Sequence, residues 1–206
     1  MHKHHYKVYG DILSGNCYKV KLVLALLGIE HEWQHVDILK GESRTEEFLA
    51  LNPNGKVPAL VIDGKESLGE SNAILNFIAH GSAYLPDAPL PRARVLEWQF
   101  FEQYSHEPYI AVARFINKYL GLPEERRAEY EAKQEGGHRA LAVMEQQLQQ
   151  TPYLVGDQPT IADISLFAYT HVAHEGGFDL ATYPGIDGWL QRIRALPGFY
   201  PMPDQA

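Results

Sequence analysis

Cysteine occurs once in the 206 residues, at Cys17. A single thiol excludes an intrachain disulfide framework and suits a reducing compartment. Positive charge is also scarce: 18 Lys and Arg stand against 26 Asp and Glu, for a net charge of -8 and a pI near 5.7. That balance argues against nonspecific nucleic-acid binding and against docking on an anionic membrane surface. No apolar run approaches the roughly 18 residues that a membrane span needs. The opening Met1-His-Lys-His-His-Tyr6 has no apolar signal core, so a cytoplasmic location is expected. His2, His4 and His5 are metal-binding residue types, but no closed ligand set follows them, and no metal is expected. Repeats and low-complexity segments are lacking too. What remains is an ordinary balance, 45% hydrophobic and 21% charged, enough to bury a substantial core in one large domain or two small ones.

The first part of the chain alternates in period. Tyr6 to Tyr9 reads as a strand, Gly10 to Asn16 as a loop, and Val20, Val23, Leu24 and Leu27 recur at helical spacing until Gly28 closes the helix. Glu32 to Val36 reads as a second strand, and Ser43 to Ala50 as a short helix capped by Ser43 or Thr45. Val57 to Ile62, the turn Asp63-Gly64 and a run near Glu66-Ser67-Leu68 predict a hairpin. A helix from Ser71 to about His80 completes the order βαβαββα, that of a thioredoxin-like domain. Pro86, Pro89 and Pro91 mark a linker. Beyond it the pattern is helical throughout: 92 to 119 with a bend at Pro108, 123 to 150, 160 to 172 and 184 to 196. Thr160-Ile-Ala-Asp163 predicts a capping box. The fold class is therefore α/β plus all-α, with a thioredoxin-like domain over 1–82, a linker over 83–91 and a helical bundle over 92–206.

One stretch organises the rest: Asn52-Pro-Asn-Gly-Lys-Val-Pro-Ala-Leu-Val-Ile-Asp63, then Glu70-Ser71-Asn-Ala-Ile74. Pro58 cannot donate to a sheet ladder, so it belongs at a strand's start or edge. A cis Val57-Pro58 bond would turn the Val57 backbone outward, leaving its N–H and C=O for another partner. Glu70 and Ser71 open a helix, where backbone N–H groups and the dipole favour a carboxylate. The stretch reads as a docking site for a peptide-like molecule with free carboxylates.

Lys-Val-Pro-Ala-Leu followed by Glu-Ser-Asn-Ala-Ile resembles the glutathione-binding half of cytosolic glutathione S-transferases. Tyr153-Leu-Val-Gly-Asp157 with Thr160-Ile-Ala-Asp163 is similar to that family's C-terminal signature, so the resemblance spans nearly the whole chain. In the family this box supports the helical core, and Thr160 and Asp163 are read as structural. The resemblance implies a bacterial, theta-like enzyme, a homodimer, with glutathione as co-substrate. Its first domain would stabilise the thiolate, and a small apolar electrophile would be conjugated. A free thiol titrates near about 8.5, so a donor aimed at the sulfur from a helix N-terminus is the chemical requirement.

Three residues of Leu13-Ser14-Gly15-Asn16-Cys17 are candidates for the sulfur. Ser14 stands where theta-like and delta-like members carry a catalytic serine; as a bare residue it would simply cap the helix. Asn16 offers an amide donor. Cys17 falls where beta-like bacterial members carry a reactive cysteine; as a bare residue it is a small core side chain. For the rest of the tripeptide the resemblance assigns Val57 backbone to the cysteinyl amide, with Pro58 permitting that ladder. Glu70 takes the γ-glutamyl ammonium, Ser71 that residue's carboxylate, and Lys56 the glycyl carboxylate. Ser43 stands where theta-like members carry a histidine, and neighbouring Arg44 is the substitute donor. Tyr104, His106, Tyr109 and Arg114 are expected to line the electrophile pocket. Two rivals stay open: a glutathione-dependent disulfide reductase or peroxidase, and a non-catalytic glutathione-binding or ligand-carrier module.

Overall fold

The structure is a computed structural model that describes residues 4–203. His2, one of the three histidines noted above, lies outside the described residues. The chain folds as two units, 4–82 together with 196–203, and Ala83–Ala195.

The first unit is built on four strands, β1 (Tyr6–Gly10), β2 (Glu32–His35), β3 (Ala59–Ile62) and β4 (Glu66–Leu68), and three helices, α1 (Gly15–Leu26), α2 (Glu46–Leu51) and α3 (Ser71–Ile78). The sheet order is β2-β1-β3-β4. β1 and β2 are parallel, which requires a crossover, and α1 supplies it. β3 runs antiparallel to β1, and β4 to β3. Asp63 and Gly64 both take positive φ, 52° and 67°, as the tight hairpin turn demands. Side chains alternate across the sheet. Val8 and Leu60, paired in register, are fully buried on one face. Tyr9 and Ala59, one position along, pack on the other with Val36, Phe48 and Leu51. Thr45 rather than Ser43 is the cap of α2, accepting from Phe48 N–H at 3.3 Å, while Ser43 is buried in a 3-10 turn. The Val57-Pro58 peptide is cis.

Residues 196–203 were expected with the helical bundle but join the first unit. The last helix ends at Arg194, and Gly198, at φ 82°, lies against the Ala25 carbonyl. The Tyr18 hydroxyl donates to the Tyr200 carbonyl at 2.7 Å, and the Lys21 ammonium sits 5.1 Å from the Tyr200 ring centroid.

The second unit holds α4 (Pro89–Phe101), α5 (Glu107–Arg114), α6 (Arg127–Leu148), α7 (Ile161–Thr170) and α8 (Pro184–Arg194). Pro89 and Pro91 were read as linker. They fall instead in the first turn of α4, where a helical N–H has no partner to lose. Between α4 and α5 the backbone widens into a π-helical turn, Glu102–His106, just before Pro108. The missing proline N–H is absorbed there, so the expected bend takes this form. Every residue of α7 is buried, and Thr160 and Asp163 form the capping box. Asp163 also accepts from Leu154 N–H and from Trp189 Nε1–H, both at 2.9 Å. Burial pushes the Asp163 carboxyl above the usual carboxylate range, against those hydrogen bonds.

Candidate active site

Ser14 is the residue before α1, in extended backbone, yet its side chain caps no helical N–H. The Asp11 carboxylate organises this loop by accepting from Leu13 N–H at 2.9 Å. The Ser14 hydroxyl instead meets the Cys17 thiol, and Ser14 itself is half-buried. Cys17 has no exposed surface. Its Sγ packs so closely on Gly10 that a β-carbon there would stand 2.7 Å away. Burial pushes the thiol up to about 12, and the hydrogen bonds from Ser14 and at Asp11 offset only part of this. A thiolate is the nucleophile in exchange chemistry. Cys17 therefore departs from the reactive reading and belongs to the core.

Asn16, on the first turn of α1, meets the first residue of α3. The Ser71 hydroxyl donates to Asn16 Oδ1 at 3.0 Å. Lys19, wholly buried one turn along α1, donates from Nζ to the same oxygen at 2.7 Å and to Ser71 Oγ at 3.3 Å. The starts of two helices are thus joined by one polar cluster, with an ammonium beneath it.

The loop before β3 is held by asparagines. Asn52 Nδ2 donates to the Lys56 carbonyl at 2.7 Å, and Asn52 Oδ1 accepts from Asn54 N–H at 3.2 Å. Asn54 Nδ2 reaches Glu70 Oε1 at 3.5 Å, which ties this loop to the turn before α3. Glu70 holds φ 61°, an uncommon conformation for a side chain of its size, with its carboxylate exposed. Among the described residues no hydrogen bond engages the Val57 N–H or C=O, and Val57 is half-buried while Pro58 is buried. Arg44 lies over this loop, donating to the Asn54 carbonyl at 3.3 Å and packing on Gly55, beside exposed Lys56. The first unit therefore gathers Ser14, Asn16 and Ser71 at one place, with Val57, Pro58, Glu70, Lys56 and Arg44 on adjoining loops.

In the second unit the four aromatic and basic candidates divide. Tyr104 and Tyr109 line a cavity of about 210 Å³ with Phe101, Gly136 and Val143. A larger one, about 560 Å³, is walled by Trp98, Phe101, Val143 and Leu154. His106 and Arg114 line neither. The His106 ring is fully buried, its Nε2–H donating to Thr170 Oγ1 at 2.9 Å, since that hydroxyl spends its own proton on Leu166 carbonyl. Arg114 is 2% exposed and donates from Nε to Glu175 at 2.5 Å, an acceptor it shares with Lys118. Both hold the helical core, which corrects the pocket expectation for them. Among the described residues no group of three or more His, Cys, Asp or Glu is arranged to hold a metal ion. Nor is any helix among them long and apolar enough to cross a membrane.

Sequence reasoning passed over Lys19, Asn52 and Asn54. A signal for Lys19 existed. It stands directly before Val20 and one helical turn before Val23, on the apolar inward face of α1, where a lysine is out of place unless it has a polar task. Asn52 and Asn54 stand in the Asn52–Asp63 stretch with no role of their own assigned from sequence.

Two family profiles match the chain: "Glutathione S-transferase, N-terminal domain" over residues 13–80 and "Glutathione S-transferase, C-terminal domain" over residues 98–197. The solved structure of a glutathione S-transferase from Pseudomonas fluorescens superposes with a TM-score of 0.95 at 64% identity, covering 97% of this chain and 99% of that one. Glutathione S-transferase 3 of Zea mays is 35% identical, covering 94% of this chain and 90% of its own length. The disulfide-bond oxidoreductase YfcG of Escherichia coli is 31% identical, with 88% and 87% covered.

Proposed function

The chain belongs to the glutathione S-transferase family, and from that premise we propose that it binds glutathione in its first unit, stabilises the thiolate and conjugates it to a small apolar electrophile. The observation that carries this reading is the Ser71–Asn16 hydrogen bond at 3.0 Å, which seats the two helix starts side by side. A tripeptide with its γ-glutamyl carboxylate at Ser71 then has its cysteine within reach of the α1 start. Val57 offers an N–H and a C=O to the cysteinyl backbone. Glu70 accepts from the γ-glutamyl ammonium, and Lys56 with Arg44 meets the glycyl carboxylate.

In the proposed reaction the thiol proton passes to water, and the Ser14 O–H donates to the sulfur anion that remains. The thiolate attacks the electrophilic carbon; the C–S bond forms and the leaving group departs with its electron pair. Each unit by which the thiol is lowered corresponds to about 1.4 kcal/mol of thiolate stabilisation. Ser14 leaves the helix N–H groups uncapped by its side chain, and its hydroxyl, which meets the Cys17 thiol in the free protein, would turn to the ligand sulfur on binding. The cavity around Trp98 and Phe101 has a mixed lining, with Arg94, Glu97, Gln147 and Thr151 beside its apolar wall, and that wall suits an apolar co-substrate. A homodimer is part of this reading, supported by Phe100 and Tyr104, 62% and 82% exposed on the helical unit.

The test is the ultraviolet difference spectrum of bound glutathione against pH. A thiolate band at neutral pH should disappear in Ser14→Ala and survive in Cys17→Ala. A band that survives Ser14→Ala transfers the role to Asn16 or the backbone, and binding without a band removes the mechanism. The likeness to a disulfide-bond oxidoreductase favours one second reading, thiol–disulfide exchange. With Cys17 buried, the exchanging thiol would be that of bound glutathione. Turnover of a disulfide substrate in preference to an electrophile selects that reading.

A further inference from the structure

Lys19 is a lysine with no exposed surface at the heart of the polar cluster, and neither the reaction nor the tripeptide assignments above use it. Its ammonium has three donors and no acceptor. Hence the end of Asn16 that faces it at 2.7 Å must be Oδ1, and the amide NH2 must point the other way. The Ser71 proton is committed to that same oxygen, at 3.0 Å, so Ser71 Oγ faces Lys19 Nζ with its lone pairs, at 3.3 Å. One buried cation thus sets the rotamer of Ser71, fixes the amide orientation of Asn16 and places positive charge under the first turn of α3.

We propose that Lys19 is a positioning residue whose ammonium lies under the γ-glutamyl carboxylate subsite and supplies the charge that makes the site select a carboxylate there. This rests on the glutathione-binding reading and deepens it. A charge held away from water acts on a ligand carboxylate with far less screening than a surface lysine does. Helix-terminal N–H groups alone contribute less than a full charge. The site should therefore distinguish two peptides that differ only by that carboxylate.

The experiment uses glutathione and its analogue 4-aminobutanoyl-cysteinyl-glycine, which lacks the γ-glutamyl carboxylate but keeps the amine, thiol and glycine. Affinities of both are measured by calorimetry for the intact protein, Lys19→Met and Lys19→Gln, each checked for native circular dichroism and melting. Expected is a loss of about tenfold or more for glutathione in both variants and less than about twofold for the analogue. Equal losses for the two peptides would show a purely structural role and overturn the proposal. Should both variants fail to fold, wild-type protein labelled at lysine 13Cε decides. The Lys19 signal should shift with glutathione and not with the analogue, and equal shifts overturn the proposal. Wild-type protein that binds the two peptides equally well also overturns it. Wild-type protein that binds neither sinks the glutathione reading itself, a different result from any of these.

Discussion

Cys17 should be nearly inert toward thiol reagents in the native protein, and the structure sets the size of the effect. A thiol pushed up to about 12 carries a thiolate fraction of roughly 1 in 10,000 at pH 8. A solvated cysteine near about 8.5 carries about one quarter. Ionisation alone thus slows attack about 2,000-fold, because the thiolate is the reacting species. Access lowers it further, since Cys17 has no exposed surface and its Sγ is pressed against Gly10. Global unfolding sets the floor: a domain stable by about 5 kcal/mol or more is unfolded less than about 1 part in 1,000 of the time, so even by that route the native protein reacts at least about 1,000-fold more slowly than a free cysteine. The assay is the absorbance of released nitrothiobenzoate at pH 8, with and without guanidinium. One thiol should react promptly when denatured and over hours or longer when native. Glutathione binding should be unchanged in Cys17→Ala. A native thiol that reacts within minutes, with an apparent pKa below about 9, would refute the core assignment and return Cys17 to the candidates for chemistry.

Other expectations follow from particular contacts. Glu70→Ala should raise the KM for glutathione about tenfold or more with a smaller change in kcat, as loss of a charged hydrogen bond does; steady-state kinetics at fixed electrophile checks it. Gly136→Ala in α6 adds a methyl that overlaps the Tyr109 ring, so a helix-propensity gain of up to about 1 kcal/mol should be outweighed by overpacking of about 1–3 kcal/mol, seen as a lower Tm. Burial holds the His171 imidazole down at about 4, below its unfolded value near about 6.5, so its contribution is complete above that higher value and lost as pH falls toward the lower one. Urea unfolding should lose about 2 kcal/mol more between pH 7.5 and 5 in the intact protein than in His171→Phe, a change that keeps the stack on Phe167.

Legibility in the sequence followed the distance over which each cause acts. Period-two and period-3.6 patterns, the Asp63-Gly64 turn and the Thr160–Asp163 box are local signals, and each has its element in the structure. The prolines were misread where their position within a helix mattered. Pro89 begins α4 because a first-turn residue needs no N–H partner, which composition does not reveal. The tail at 196–203 was assigned by sequence proximity to the bundle, whereas its anchors, Tyr18 and Lys21, lie far away in the chain. His106 and Arg114 looked like pocket residues by type. Their burial depends on Thr170 and Glu175, partners about 60 positions later that no local pattern specifies. Lys19 carried a local signal of burial, but its task was not legible, because one of its two oxygens, that of Ser71, lies across the domain.

The gathering of the site residues is itself a consequence of strand order. Tyr9 pairs with Ala59, so the exit from β1 and the entry to β3 lie at one end of the sheet because the two strands are antiparallel. The first leads into Ser14 and the start of α1; the second is preceded by Val57 and Pro58. Leu68, the last residue of β4, pairs with Leu60, so the hairpin returns the chain to that same end before Glu70 and Ser71. Three chain segments separated by tens of residues therefore deliver a hydroxyl, an open peptide group and a helix start to one edge. A slip of one residue in the β1–β3 register would put Val8 and Leu60 on opposite faces and turn one of them out of the core. The fully buried pair that stabilises the sheet thus also fixes the register that brings the segments leading to Ser14 and Ser71 to one end of it.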